Sequence, residues 1–600
     1  VPTKDDILLE EAFAQKPMSK ATFLRLLGYV RPYRRLFQFN LLLTLLATLS
    51  QLLGPKFIQI GVDHYLTNVV SPPAAFRGVL VVSAIYLANL LLGWFLSVAQ
   101  VKSAIAVGQG AMNDLRLAVF EHIQRLSLNY FDKTHQGRII SRADTDIDSL
   151  DRVLTWGANQ LLASALTLLG VLILLMRYDP RLCLAVSVVV PPLAVATGLF
   201  HKYGMKAYRE LRAQSSRLTG AMAENIAGVR VAQAFAREAE NLVRFQQLQG
   251  IYFDRFLVLA RIFHTYMPFI GLVSGIGTAI VLGYGGSLVM QREITVGELA
   301  AFILYLGMFF GPIQTMGDLY NAVLSAAASA ERIFQLLDTL PQITDRPDAT
   351  DLAPVRGHII FNQVCLRYDT TPPGQWILND ICFEAKPGET VALVGATGSG
   401  KTSIISLLAR FYEPQQGQIT VDGIDLQSAT IESLHRQIGI VTQDNFLFTG
   451  TVMENIKFGR ADATDDEVAH AAKTLGAHDS IARLEKGYET PVAERGANFS
   501  AGERQLICFV RAMVARPRIL ILDEATSAVD PHTETLIQHA LEKLFERRTS
   551  FVIAHRLSTV RHAHQILVLQ RGEIVERGTH DELLGRRGHY ARLYEEFVRH

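Results

Sequence analysis

Six apolar runs fill the first 320 residues of this chain and leave room for little but a bundle of membrane-crossing helices. They lie at about 36–62, 78–100, 157–177, 182–203, 266–290 and 297–320, and the stretch LLLTLLATLSQLLG is typical of them. Crossing the hydrocarbon core of a bilayer takes roughly twenty apolar residues in helical form. A soluble core does not need six such runs. Composition agrees, because 49% of the 600 residues are hydrophobic and only 19% are charged, and a chain of this length needs several domains. The net charge of +1 gives no support to a polyanionic partner, so nucleic acid is not expected. Four cysteines, Cys183, Cys365, Cys382 and Cys508, show no CxxC pairing and read as buried structural thiols rather than a disulfide framework or zinc site.

Lysine and arginine orient the spans. The segment before the first run carries Lys16, Lys20, Arg25, Arg31, Arg34 and Arg35, and the connection from the second to the third carries Lys102, Arg116, Arg125, Lys133, Arg138 and Arg142. The connection at about 204–262 is basic too, whereas RYDPR at 177–181 and QREIT at 291–295 are short and nearly free of such charge. Both termini and both long basic connections are therefore expected in the cytoplasm, with the chain multi-pass in the cell (inner) membrane. The first residues, VPTKDDILLEEAFAQKP, lack an apolar core and do not read as a secretory signal. The long connections are expected to extend the helices into the cytoplasm, each broken by a glycine turn in NYFDKTHQGRIISRADTDID (129–148) and ENIAGVRVAQAFAREAE (224–240). Among polar span residues, Asn40, Gln59, Asn89 and His264 suit either a cavity wall or hydrogen bonds between helices. No span carries a charge cluster that would mark an ion path.

Near residue 340 the pattern changes to short β-branched strands alternating with helices. The organisation expected is a tail at 1–20, a six-span membrane domain at 21–335 with two cytoplasmic coupling regions, and a second domain of α/β P-loop type at 341–600. TVALVGATGSGKTSIISLLARF (390–411) contains G-x-x-x-x-G-K-T as Gly395, Gly400, Lys401 and Thr402. Glycines there let backbone N–H groups close around phosphate oxygens, and the helix N-terminus adds its positive end. Thr397, Gly398, Ser399 and Ser403 complete the candidate nucleotide contacts. Lys401 reaches the outer phosphates, and Thr402 is placed for Mg²⁺. In ILILDEA (519–525), four apolar residues end in two carboxylates. Asp523 suits the metal, and Glu524 suits orienting and deprotonating an attacking water.

Together these residues resemble the ATP-binding-cassette (ABC) exporter half-transporters of type IV, over about 20–597 of the chain. IVTQDNFLF supplies Gln443 at the position of the family's Gln-loop, SAVD supplies Asp530, and VIAHRLSTV supplies His555 as the switch histidine. Tyr368 in LRYDT matches the aromatic that stacks on adenine, and VAERG (492–496) matches the segment that touches the membrane domain. The two basic connections match the coupling helices. The resemblance implies ATP and Mg²⁺ as cofactors, with Glu524, His555 and Gln443 catalytic and Thr402, Gln443 and Asp523 on the metal. It implies ATP-driven export by alternating access. The cargo implied is a small hydrophobic or amphipathic drug, lipid or peptide, and membrane lipids surround the spans.

One stretch departs from the family. Where the pattern is L-S-G-G-Q, this chain has Phe499, Ser500, Ala501, Gly502 and Glu503. In the family this segment contacts the γ-phosphate of ATP held by the other subunit, through residues matching Ser500 and Gly502. Ala501 adds a Cβ, and Glu503 brings a negative charge near a polyphosphate. At ~8 Å and an effective dielectric near 20 the repulsion is roughly 2 kcal/mol per unit charge before Mg²⁺ and solvent reduce it. Complete hydrolytic residues beside an altered signature imply a heterodimeric bacterial multidrug exporter, whose second, non-identical half-transporter lacks the carboxylate equivalent to Glu524. The alternatives are a homodimeric lipid flippase and an ATP-gated channel or regulator.

Overall fold

A computed structural model of the chain describes residues 19–67, 72–369, 371–372, 374–523, 531–554 and 560–599. Two units emerge: Arg125–His135 joins Leu340–His600 in one, and the rest of the chain up to Thr339 forms the other.

The first unit is helical. Among the described residues five helical stretches are long and apolar enough to cross a bilayer: Ala21–Leu66, Pro72–Arg125, Gln136–Tyr178, Pro180–Ala227 and Glu238–Met290. The sixth expected span falls in the helix Val296–Asp338, whose apolar stretch among the described residues is the shorter Val296–Pro312. Pro72–Arg125 is one helix of 54 residues, ~80 Å long at 1.5 Å per residue. That is well beyond the ~30 Å hydrocarbon core, so it extends into the basic connection as the charge pattern predicts. None of its apolar window is buried inside the chain, and Leu80, Val81, Trp94 and Phe95 stand exposed.

The unit's core gathers Val171, Leu182, Val186, Val281, Phe302, Tyr305 and Leu306. Polar groups inside it are paired, as burial requires. Asn40 Nδ2 donates to Gln100 O at 2.7 Å and Ser103 Oγ at 2.8 Å, and Asn89 Nδ2 donates to Ser50 O at 2.9 Å. Gln59 Oε1 accepts from the Tyr178 hydroxyl at 2.6 Å. Of the two roles open to these residues, the hydrogen bonds between helices are present. His264 is exposed, edge-on to Phe263. Near the short connections, Asp63 accepts from Gly297 N at 2.8 Å and Thr295 Oγ1 at 2.7 Å, capping the helix Val296–Asp338 with the Thr295/Glu298 capping box. At the other end of that helix, Arg332 forks onto buried Asp146 at 2.9 and 2.5 Å.

Two expectations need correction. The break in the first long basic connection is at Thr134–His135, with Gly137 inside the helix Gln136–Ala143. The expected glycine break does occur in the second connection, where Gly228 separates Val190–Ala227 from Val229–Ala234. Cys382 is exposed and Cys183 half-buried rather than buried, while Cys365 and Cys508 are buried. In the strand Leu378–Ala385 the inward residues are Leu378, Ile381, Phe383 and Ala385, so alternation turns Cys382 outward.

The second unit is built on strands β1 (Ile359–Leu366), β2 (Leu378–Ala385), β3 (Thr390–Val394), β4 (Gln416–Val421), β5 (Ile424–Asp425), β6 (Ile438–Val441), β7 (Gly450–Thr451), β8 (Pro491–Val492), β9 (Ile519–Asp523), β10 (Thr549–Ile553), β11 (Gln565–Gln570) and β12 (Glu573–Gly578). Among the described residues one sheet runs β12-β11-β3-β10-β9-β6, a second β2-β1-β4-β5, and β7 pairs with β8. In the first sheet β11, β3, β10, β9 and β6 are parallel and only β12 is antiparallel. The central strands are apolar on both faces because both are covered. Val391, Leu393, Ile519, Ile521, Phe551 and Ile553 meet the antiparallel sheet and the helix Lys401–Leu408. Ala392, Val394, Leu520, Leu522 and Val552 meet a helical layer that includes Leu506, Phe509, Val510 and Leu541.

Candidate nucleotide site

Sheet order collects the motifs. β10 lies between β3 and β9, with Ile553 opposite both Leu393 and Asp523. β6 follows β9, with Val441 opposite Leu522. The C-terminal ends of four neighbouring parallel strands therefore run into the Gly395 loop, Ala554, Asp523 and the Gln443 segment, which is where open α/β sheets bind ligands. Glu524, Asp530 and His555 themselves lie outside the described residues.

The loop after β3 has the backbone that phosphates require. Gly400 takes φ +106°, and a Cβ there would come within 2.5 Å of Leu378 Cδ2, so only glycine fits. Gly395 passes so close to β11 that a Cβ would sit 2.3 Å from Leu569 O. The helix Lys401–Leu408 opens directly on this loop, with its N–H groups and positive end toward it. Lys401 Nζ donates to Gly395 O at 2.7 Å and Ala396 O at 3.0 Å. Burial pulls its ammonium below the ordinary lysine range, and the Asp523 carboxylate opposes that shift. Ser399 is buried, and its hydroxyl has no hydrogen-bond partner among the described residues. Thr397, Gly398, Thr402 and Gln443 are exposed, while Asp523 is half-buried at the end of β9.

These residues fit a Mg-nucleotide. The Thr402 hydroxyl, the Gln443 amide oxygen and the Asp523 carboxylate are hard oxygen donors, the kind Mg²⁺ takes alongside substrate phosphates. Tyr368, beyond β1, is half-buried and its hydroxyl donates to Ser403 Oγ at 2.9 Å. Ser403 thus links the helix Lys401–Leu408 to Tyr368, a contact its place in the motif did not reveal.

Comparison with known proteins matches the family model of the ABC transporter transmembrane region over residues 37–313 and that of the ABC transporter over 378–527. An ABC transporter ATP-binding protein of Bacillus subtilis, YknV, whose role is uncharacterized, is 39% identical over 580 residues, covering 96% of this chain and 95% of its own. The chain belongs to the ABC transporter family. A fatty acid ABC transporter ATP-binding/permease protein of Mycobacterium bovis is 39% identical over 510 residues, 85% of this chain and 79% of that one. A solved bacterial Atm1-family ABC exporter with ATP bound aligns with TM-score 0.76 and 29% identity, over 94% of this chain and 98% of that one. This ABC exporter half-transporter therefore joins a helical membrane domain to an ATP-binding domain that couples ATP hydrolysis to transport.

The altered signature of this transporter is an intact helix start. Ser500 is the N-cap of the helix Ala501–Val514, accepting from Glu503 N at 3.2 Å, and the Glu503 carboxylate accepts from Ser500 N at 2.8 Å. That is a complete capping box. Phe499 is buried in the core where the family pattern has leucine, and Gly502 is buried behind it. Arg511 ties the same helix to the Gln443 segment, with Nη1 donating to Phe446 O at 3.0 Å and Nε to Asn455 O at 2.8 Å. Glu503 therefore does not project as a free charge. It sits on the positive end of the helix that would face a partner's ATP, and cancels part of its attraction for phosphate. Glu503→Gln keeps the capping geometry and removes the charge. The expected result is ATP-induced closure of the paired domains at about three- to tenfold lower ATP, read by cross-linking across the closed pair. An unchanged midpoint would mean that the helix cap already neutralises the charge.

Proposed function

We propose that this transporter exports hydrophobic or amphipathic compounds (drugs, lipids or peptides) as one half of a heterodimer, by alternating access. The observation that carries this reading is the pairing of a complete phosphate-binding apparatus with a signature helix whose N-terminus is charge-compensated by Glu503. In such a dimer Lys401, Thr402, Gln443, Asp523, Glu524 and His555 of this chain work against the partner's signature to form the hydrolysing site. The Ser500 signature closes a second site, where the partner lacks the carboxylate and ATP is turned over slowly. Binding of two ATP molecules draws the domains together, with Asp530 among the nucleotide contacts, and hydrolysis at the Glu524 site resets the inward-facing state.

A partner is further supported by surface that this chain leaves uncovered. Around the helix Val229–Ala234, Ile226, Val231 and Phe235 are 69%, 62% and 73% exposed in a stretch of positive-inside character, which suits contact with a second subunit's cytoplasmic domain. The fatty acid transporter among its relatives fits an amphipathic cargo. Residence in the cell membrane with both termini in the cytoplasm follows from the lysine and arginine asymmetry.

Intact-mass analysis of the complex extracted gently from its native membrane tests the pairing. Two different chains in equal amounts are expected. Two copies of this chain would overturn the heterodimer in favour of a homodimeric flippase with both sites closing on Ala501 and Glu503. ATP-dependent vesicle uptake against a gradient separates export from an ATP-gated channel.

A further inference from the structure

The phosphate-side contacts explain how ATP is held, but they leave unused a second set of side chains around Tyr368. Its ring meets that of Tyr412 edge-on, with centroids 4.8 Å apart and planes at 75°. Tyr412 in turn donates its hydroxyl to Asp132 Oδ2 at 2.5 Å. Asp132 belongs to the helix Leu128–Lys133, the cytoplasmic turn between the second and third membrane helices, and this segment lies within the ATP-binding unit. The next residue after Tyr368 grips the same helix. Asp369 accepts from Lys133 Nζ, from Asn129 Nδ2 at 3.1 Å and from Gln342 Nε2 at 3.4 Å. Hydrogen bonding from Lys133, then from Asn129 and Gln342, holds its carboxyl at about 2, so this side of the contact is ionised at any physiological pH.

We propose that Tyr412 and Asp369 are positioning residues that let the helix Leu128–Lys133 sense the nucleotide base, through Tyr368, independently of the phosphates. An adenine stacked on Tyr368 removes that ring's freedom. Edge-to-face aromatic pairs have a preferred geometry, so fixing one ring fixes Tyr412. A fixed Tyr412 keeps its hydroxyl on Asp132, a charge-assisted bond of the stronger kind. Asp369, next to Tyr368 in the chain, holds the same helix at both ends, through Asn129 near its start and Lys133 at its last residue. Tyr368 also holds Ser403, one residue beyond Thr402, so base and phosphate occupancy converge on one tyrosine. A pyrimidine base, with less stacking area, leaves this tyrosine looser while filling the phosphate loop equally.

The inference deepens the ATP-driven reading above and rests on Tyr368 facing the base, but its test needs no transport. Hydrogen–deuterium exchange is followed on the full complex with saturating ATP, with saturating CTP and without nucleotide, each with EDTA to prevent turnover. ATP is expected to slow exchange of residues 125–135 by about tenfold, the scale of one charge-assisted hydrogen bond, and CTP to slow it far less. In Tyr412→Phe the ATP protection of 125–135 is lost while that of residues 395–403 stays, and basal ATP hydrolysis stays within about twofold, since a single hydroxyl outside the phosphate site is removed. Asp132→Asn, which keeps the side chain's shape, should behave as Tyr412→Phe does. Equal protection of 125–135 by ATP and CTP in the unaltered complex, or full ATP protection in Tyr412→Phe, overturns the inference. Neither result bears on export, which the vesicle uptake measurement decides separately.

Discussion

Glu524→Gln should lower ATP turnover by about 10²- to 10⁴-fold, the usual contribution of a positioned general base, while leaving ATP binding in place. Glu524 follows directly on Asp523, the last residue of β9, and β9 is held by four buried residues, Ile519 to Leu522. The strand therefore sets Asp523 without help from residue 524. Glutamine preserves size and hydrogen-bonding reach but cannot accept a proton from water at neutral pH. The residues placed to hold the phosphates, Lys401 and the 395–400 loop, are untouched. Phosphate release under single-turnover conditions, beside equilibrium nucleotide binding on the same preparation, reads the two effects apart. If the partner lacks its own carboxylate, this single substitution removes nearly all turnover of the complex. Near-normal hydrolysis would sink the catalytic assignment of Glu524.

The membrane helices were legible because their signal is length and polarity, both local. The strand–turn–helix around Gly395 and Gly400 was legible because Gly395, Gly400, Lys401 and Thr402 follow one another at a fixed spacing between a strand and a helix. What escaped a linear reading is mostly non-local. Asn129 and Asp369 are 240 residues apart, and nothing in either segment announces that Arg125–His135 belongs with the ATP-binding unit. The choice between cavity wall and interhelical hydrogen bond for Asn40 and Asn89 likewise turned on Ser103 and Ser50, 63 and 39 residues away.

Other features were present in the sequence and outweighed. Ser500-Ala501-Gly502-Glu503 is a capping-box pattern before an apolar run, yet reading Glu503 against a distant phosphate hid its role at its own helix. Cys382 sits on the outward phase of a strand whose inward residues are plainly apolar, so alternation alone would have exposed it. Gly137 read as a turn because glycine usually punctuates. The chain breaks at Thr134–His135 instead, just past the last residue that Asp369 holds.

Lys401→Ala acts at the other step and should weaken ATP binding by about 10- to 100-fold, the range for removing one charged partner from a hydrogen-bonded group. Lys401 is buried to 9% exposure, with Nζ on the carbonyls of Gly395 and Ala396, so it already spans the loop on which phosphates would lie. Its charge sits in a desolvated place, as the downward pull on its ammonium shows, and a polyphosphate arriving there supplies the counter-charge that the loop lacks. Alanine removes that charge and leaves the helix intact, because Ile404, Leu407 and Leu408 keep its buried face and alanine is the better helix former. Arginine should not rescue it, since the guanidinium is too large for a buried lysine site and spreads its charge over a planar fork. Calorimetric titration with ATP checks the affinity, and an unchanged unfolding temperature without nucleotide checks the fold. Glu524→Gln is expected to bind and not turn over, and Lys401→Ala to lose binding first. Unchanged ATP affinity in Lys401→Ala would place the outer phosphates away from this loop, and with them the attacking water assigned to Glu524.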